Sequence, residues 1–409
     1  MKNIRLFNII SFLEGLHFYI PILTFFLLSK DVSLPTIIIS QTFYSLFLFL
    51  GEVPTGIFAD RFGQKTSIIM GYIFEAFGII FILMYPTSLG LYIAFSIQGF
   101  SYSFLSGSKE ALLFETVKKL KTNDYQKRYG RVISNKQIGF VIATSLCGVA
   151  YQYFGHSSFV PLILISGFSI FSAGILSIFL TNYEVDTLEK SEGSGMFLVL
   201  KESFELIRRN SVIFTLTIVG ILTIAGEYFV QGVYQPYFQT NGVLPFWIGA
   251  SLSVGIVLNI IATRYVYLLE RHFTLERILL YINIPLGIVY ILMAVLVHPI
   301  FLVGLYIFMN GIFNLQTPII SDYINVRTKS SMRATVLSGV SFVRRFFQVF
   351  LMWGIGLSVG VFGIQNSLIL WGLYLLVGIV VSYYLLVRCG CTQKIINTGG
   401  DELEFKSRE

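Results

Sequence analysis

The sequence contains few charged residues. Asp, Glu, Lys and Arg make up 12% of its 409 residues, whereas hydrophobic residues make up 55%. Because soluble domains carry about 25% charged residues, this composition excludes an ordinary soluble protein. Much of the chain must be solvated by lipid.

Cysteine and histidine are also scarce, with three and four residues. Cys147 lies in an apolar run, and Cys389 and Cys391 lie in a polar stretch, which excludes a disulfide framework. Cys389 and Cys391 are a candidate acylation or metal site, without the further ligands that a metal needs. The histidines form neither an HExxH pair nor a metal cluster, and no Gly-Lys nucleotide loop is present. We therefore expect no enzyme, no cofactor, no metal and no nucleotide-driven pump.

Long apolar runs occupy most of the chain. A membrane-crossing helix needs about 20 mostly apolar residues, and at that length the sequence predicts twelve spans, near 5–28, 36–58, 66–85, 90–108, 133–153, 159–180, 212–238, 245–268, 277–297, 299–320, 334–360 and 365–387. We predict an all-α integral membrane protein with twelve transmembrane helices in two pseudo-symmetric six-helix bundles. The bundles are 1–180 and 211–390, joined by a linker at 181–210 that is either plain or holds a short interfacial helix, and followed by a tail at 391–409.

The positive charges fall on one side of the predicted spans. Of the 29 Lys and Arg residues, 26 lie in or beside one alternate set of loops, and only Lys30 lies in the other set. This is the positive-inside pattern, which predicts a multi-pass protein of the cell membrane with both termini and the linker in the cytoplasm. The net charge of +7 follows from this topology, so we expect a lipid bilayer and no nucleic acid as partner. No coiled coil or large extramembrane segment is predicted, and we expect a monomer.

The two halves of the sequence are weak repeats. Glu14 and Glu227 occupy equivalent positions 213 residues apart, and Glu110 and Asp322 are 212 residues apart. Duplication of a six-helix unit is characteristic of secondary transporters, which bind substrate between the halves.

A motif lies in the tight loop between the second and third spans. It is built from Gly56, Asp60, Arg61, Gly63 and Lys65. Gly63 permits the positive φ of a tight turn, Gly56 permits close helix approach, and Asp60 can accept hydrogen bonds from a helix N-terminus. The stretch resembles the loop signature of the major facilitator superfamily, from which it departs only at position 64.

The resemblance extends along the chain to a bacterial drug-efflux-like branch of that superfamily. It is carried by 52–56, 106–113, 129–131, 321–324 and 333–338. It implies that the loop motif is a conformational latch on the inner gate, and that the chain exports an amphipathic or antibiotic-like molecule against proton flow. Two departures weaken the export prediction: Phe95 replaces the proton-linked Arg of the fourth span, and the fifth span has no proline. Nutrient import or uniport is the alternative, and a non-transporting receptor is a remote one.

Ionisable residues within the spans are candidate site residues. A charge at the bilayer centre costs about 2.5–3.5 kcal/mol on insertion scales. Glu14 and His17 are three residues apart and are either a proton-exchanging pair or a structural one. Glu227, Gln231 and Gln235 follow one helical face in front of a proline, which favours the lining of a solvated cavity.

Three further ionisable residues have two interpretations each. Glu75 in the third span is at least as well explained by a structural pair as by function. Arg344 and Arg345 either mark the inner gate, opposite Lys136 of the equivalent fifth span, or bind an anionic substrate or a proton-carrying carboxylate. The sequence therefore predicts a secondary transporter of a small molecule that works by alternating access, with protons as the coupling ion.

Overall fold

The computed structural model describes residues 1–120, 124–183, 205, 208, 210–327 and 333–388. Within these ranges the regular structure is helical, without strands. The predicted tail at 391–409 and nearly all of the linker in which an interfacial helix was one alternative lie outside the described residues.

The first six helices follow the predicted spans of the first half. They are α1 (Lys2–Gly15, continued by a 3₁₀ turn at Ile20–Ile22 and by Leu23–Leu28), α2 (Leu34–Phe62), α3 (Gln64–Met84), α4 (Ser88–Leu105 and Ser108–Lys119), α5 (Tyr125–Phe154) and α6 (Phe159–Ser177).

The second six follow in the same way. They are α7 (Ser211–Thr240), α8 (Pro245–Tyr265, followed by a short helix Tyr267–His272), α9 (Leu275–Val295), α10 (Pro299–Ile312 and Gln316–Arg327), α11 (333–362) and α12 (364–388), the last two separated by Gly363 with φ 75°. Among the described residues, seven stretches are long and apolar enough to cross a membrane, and two of them, Tyr125–Ser177 and Gly339–Arg388, each contain two helices. The prediction of twelve spans in two six-helix bundles is confirmed.

Local sequence signals set the helix ends. Ser33 caps α2 by accepting a hydrogen bond from the backbone N–H of Thr36 at 3.4 Å, and Thr87 caps α4 through Gly90 at 3.2 Å. Gly63, with φ 89°, is the single residue between α2 and α3. The left-handed conformation of this glycine makes the one-residue turn possible.

Two helices of the first half are interrupted, which the sequence did not predict. α1 unwinds from Leu16 to Tyr19, and α4 breaks at Ser106 and Gly107, where Gly107 has φ 76°. Interrupted helices are tolerated in a membrane where the freed backbone groups are buried in protein. The two breaks place Glu14, His17 and Lys109 in the interior of the first bundle.

Small residues allow α1 and α5 to pack closely. A Cβ on Gly15 would lie 2.1 Å from the backbone oxygen of Lys136, and a Cβ on Gly139 would lie 2.3 Å from that of Phe12. Lipid tails are as apolar as the helix surfaces, so the hydrophobic effect does not drive helices together within the membrane. Close backbone contacts of this kind therefore stabilise helix association.

The two halves meet mainly where α5 packs on α8 and α2 packs on α11. On the predicted extracellular side, a Cβ on Gly249 would lie 2.0 Å from the backbone oxygen of Thr144, and the Thr144 and Ser253 hydroxyl oxygens are 2.6 Å apart. Gly356 also lies close to Ile39, whose Cγ1 would be 2.4 Å from an added Cβ. These contacts close the interface between the halves on that side.

Candidate functional site

A buried carboxylate with two ammonium partners lies inside the first bundle. Glu14 is 4% exposed. Its Oε1 accepts a hydrogen bond from Lys136 Nζ at 2.8 Å, and its Oε2 accepts one from the Tyr72 hydroxyl at 2.9 Å and forms an ion pair with Lys109. We call Glu14, Tyr72, Lys109 and Lys136 the Glu14 cluster. Its four side chains come from α1, α3, α4 and α5.

The interrupted helices bring the cluster together. Glu14 stands at the end of the first part of α1, and Gly15 brings this end against the backbone of α5 beside Lys136. Lys109 is the second residue after the Gly107 break in α4, and its ammonium also lies 5.7 Å from the centre of the Tyr72 ring. This cation–π contact gives the partly buried ammonium of Lys109 a further partner.

A second carboxylate lies next to the cluster. The distance from His17 Nε2 to Glu75 Oε1 is 3.6 Å, which is within ion-pair range and too long for a good hydrogen bond. The His17 ring packs edge-on against Tyr19 and Phe140, and its buried Nδ1 has no hydrogen-bond partner in the described part of the chain. Because α1 unwinds after Gly15, His17 and Glu14 do not share a continuous helical face.

The polar residues of α7 divide into two groups. Glu227 and Gln231 lie on this helix, and their side chains are outside the part of the chain that the structure describes. Gln235 is 4% exposed. Its Oε1 accepts from the backbone N–H of Thr24 at 3.2 Å, and its Nε2 donates to the backbone oxygen of Ile20 at 2.9 Å. Gln235 therefore fastens α7 to the part of α1 that follows the unwound residues, across the two halves.

The two arginines of α11 have different surroundings. Arg345 forms an ion pair with Glu52 of α2, which joins the halves on the predicted cytoplasmic side of the Gly356 contact. Arg344 lies against α7, where a Cβ on Gly220 would be 3.3 Å from its Nε. That Nε is buried without a hydrogen-bond partner among the described residues.

The loop motif lies at the end of α2. Asp60 and Arg61 are exposed, and neither forms an ion pair within the described ranges. The Arg61 guanidinium lies 5.4 Å from the centre of the Phe62 ring. An added Cβ on Gly63 would lie 2.5 Å from the side-chain nitrogen of Asn182, so the turn packs against the segment that follows α6. Gly56 has open space around it, and Lys65 lies in the first turn of α3.

Sequence reasoning missed Lys109, Tyr72 and Glu52. Lys109 was counted as a loop cation because the predicted fourth span ended at 108. The sequence signal for it is the pair Ser106-Gly107, which indicates a break within the fourth span. The twelve residues after this break, Ser108–Lys119, continue as a helix. Among the described residues, no group of three or more His, Cys, Asp or Glu side chains is arranged to hold a metal.

Comparisons with known proteins identify the architecture. The sequence model of the Major Facilitator Superfamily matches residues 7–350. The chain is 23% identical over 387 residues to YxaM of Bacillus subtilis (strain 168), an uncharacterized MFS-type transporter, with 92% of this chain and 94% of the relative covered.

Solved structures have the same fold. The nucleoside transporter NupG superposes with a TM-score of 0.77 at 13% identity, covering 94% of this chain and 99% of that one. A D-xylose-proton symporter superposes with a TM-score of 0.68 at 12% identity, covering 93% and 96%. A peptide transporter POT in complex with alafosfalin gives 0.73 at 14% identity, covering 96% of each chain.

Proposed function

Because the chain belongs to the Major Facilitator Superfamily, we propose that it is a secondary transporter that moves a small molecule across the cell membrane by alternating access and couples this movement to protons. The observation that carries the proposal is the pairing of His17 with Glu75 beside the Glu14 cluster. Ionisable groups in membrane spans are costly and mark proton relays and substrate paths.

The His17–Glu75 pair is the proposed proton-binding site. Glu14 is held by two ammoniums and a hydroxyl, so it stays ionised and serves as their counter-ion. Glu75 instead faces a histidine, the side chain that changes charge near neutral pH. The pair can therefore take up and release one proton without disrupting the lysines.

Alternating access requires contacts that break and re-form between the halves. We propose that the Gln235 bonds to α1 and the Thr144–Ser253 contact hold the extracellular side closed, and that Glu52–Arg345 belongs to the opposite gate. The loop motif, with Gly56, Asp60, Arg61, Gly63 and Lys65, is proposed to latch the inner gate, as the resemblance implies. Glu227, Gln231 and Arg344 are proposed to line the path on the side of the second half.

Two transport directions fit this site. Export of an amphipathic or antibiotic-like compound in exchange for protons is favoured by the resemblance to drug-efflux-like facilitators. Uptake together with protons is favoured by the fold shared with a D-xylose-proton symporter and by the surplus of ammonium groups around Glu14.

Proteoliposomes that enclose a pH-sensitive dye test the proposal. A pH gradient is imposed and five solutes are added in turn: ethidium, uridine, xylose, dialanine and benzoate. We expect at least one solute to move protons through the wild-type chain, and Glu75→Gln to abolish that flux because the amide holds no exchangeable proton. The matched control Glu115→Gln, in the second part of α4, should retain it. Solute transport without proton flux, or unchanged flux in Glu75→Gln, contradicts proton coupling through this site.

A further inference from the structure

The charges around Glu14 do not balance locally. Two ammoniums, Lys109 and Lys136, share one carboxylate. The titratable groups that face this region from the surrounding helices are Glu14, His17 and Tyr19 on α1, Tyr72 and Glu75 on α3, Tyr102 and Lys109 on α4 and Lys136 on α5. With Glu75 ionised and His17 neutral their charges sum to zero. One proton on the His17–Glu75 pair leaves a net charge of +1.

Lys136 connects this region to accessible space. Its side chain is 40% exposed although its ammonium contacts the buried Glu14. Five exposed apolar residues of α5 form one row, Ile138, Ile142, Leu146, Val149 and Tyr153, and the exposed Ile133 and Phe154 lie outside this row near the two ends of the helix. At about 100° per residue, Lys136 lies about 120° around the helix from the centre of that row. The exposed part of the lysine therefore faces away from this apolar row and lies on the side of α5 where α1 packs.

Two tyrosine rings lie between Lys136 and the second half. Tyr102 of α4 is 39% exposed and lies within electrostatic range of Lys136. Its ring is 6.4 Å from that of Tyr44 on α2, which lies within electrostatic range of Arg345 on the other half. A planar apolar body can pack on such rings while an acidic group reaches a cation.

We propose that the substrate is a small aromatic acid whose anionic group contacts Lys136 and which moves together with one proton held by His17 and Glu75. This inference rests on the proposed function and decides between its two directions. A proton on the pair raises the positive charge beside Lys136, so it strengthens binding of an anion. By reciprocity the anion strengthens binding of the proton. A cationic drug would compete with the proton instead, as an antiporter requires.

Binding to the purified full-length chain in lipid nanodiscs tests the substrate class. The probes are benzoate, benzamide and benzylamine, which share a ring and differ in charge, measured by calorimetry at about pH 6 and about pH 8. We expect benzoate to bind at least about tenfold more tightly than the other two, since a hydrogen bond to a charged group contributes about 1.5–3 kcal/mol. Its affinity should be higher at the lower pH, and this pH dependence should disappear in Glu75→Gln.

Variants of Lys136 localise the contact. Lys136→Gln should weaken benzoate binding about 10- to 100-fold, whereas Lys136→Arg, which keeps the charge, should retain most of it. Lys118→Gln, at an exposed lysine of the same cytoplasmic region, is the matched control and should bind as the wild type does. Size-exclusion profiles establish that each variant is folded, and the Arg variant carries the test if the Gln variant is not.

Three results would overturn this inference: absence of benzoate binding, binding of benzamide or benzylamine as tight as that of benzoate, or full benzoate affinity in Lys136→Gln. Its failure is separable from failure of the proposed function. If ethidium or a neutral solute moves protons through the proteoliposomes and benzoate does not, proton-coupled transport stands and the aromatic-acid assignment falls.

Discussion

At the scale of single residues, Glu14 is the carboxylate that two ammoniums of the first bundle share. Removing one partner of a buried ion pair costs about 3–5 kcal/mol because the other charge is left uncompensated. Glu14→Gln leaves two ammoniums facing an amide, so we expect it to lower the free energy of unfolding by about this amount. Thermal unfolding of the purified chain measures the change.

The double variant Glu14→Gln with Lys109→Met is the control for this interpretation. It removes one of the two ammoniums together with the carboxylate, so it should recover part of the lost stability. A double variant that is less stable than Glu14→Gln alone would show that charge balance is not what Glu14 supplies. Glu115→Gln is expected to unfold as the wild type does.

Site residues were only partly predictable from the sequence. Glu14, His17 and Glu75 could be found because charge is rare inside apolar spans, but which of them pair could not. The three-residue spacing predicted that Glu14 and His17 share one helical face. In the structure the backbone unwinds after Gly15, so Glu14 pairs with Lys136 and His17 pairs with Glu75. Gln235 was expected in a cavity, whereas its amide bonds to the backbone of α1. The roles proposed for these residues stay predictions.

At the scale of helices, close packing of α1 on α5 holds Glu14 at Lys136. An added Cβ on Gly15 would lie 2.1 Å from the Lys136 backbone oxygen, so Gly15→Ala must push the helices apart. We expect it to destabilise the chain by about 1–3 kcal/mol, the usual cost of overpacking. Gly130→Ala, where an added Cβ meets no atom within 4 Å, is the matched control and should be neutral or slightly stabilising.

Loss of proton-linked activity should accompany the loss of stability in Gly15→Ala, because both depend on the same packing. Equal melting temperatures for the two alanine variants would argue against this close contact. The length of each apolar run predicted a helix at every span. The breaks in α1 and α4 could not be predicted from the sequence. A break depends on whether freed backbone groups find partners elsewhere, such as Gln235 for Ile20 and Thr24, and this is a property of the folded bundle.

At the scale of the whole molecule, the two six-helix halves hold different polar contacts. The first half holds the Glu14 cluster and the His17–Glu75 pair, and the second contributes Arg345 and the Gln235 contact to α1. The six-helix repeat was visible in the sequence because equivalent acidic residues recur about 210 positions apart. Contacts between the halves were not visible, since they depend on tertiary packing. The superfamily is confirmed, and its drug-efflux-like branch stays a prediction.

We propose that a proton on the His17–Glu75 pair biases the two halves between inward-open and outward-open arrangements. Distances between spin labels test it without knowledge of the substrate. One label pair replaces the exposed residues Lys30 and Gln239 at the predicted extracellular ends of α1 and α7, and the other replaces Lys118 and Arg264 on the predicted cytoplasmic side. Both pairs are placed in a chain whose three cysteines are replaced.

Double electron–electron resonance spectroscopy then measures both label-to-label distances at several pH values from about 5 to about 8. We expect the two distances to change in opposite directions with pH in the wild-type background, because closing one side opens the other. In Glu75→Gln both should stay at their acidic values. Distances that do not depend on pH, or a Glu75→Gln variant that responds as the wild type does, would contradict proton-coupled alternating access at this site.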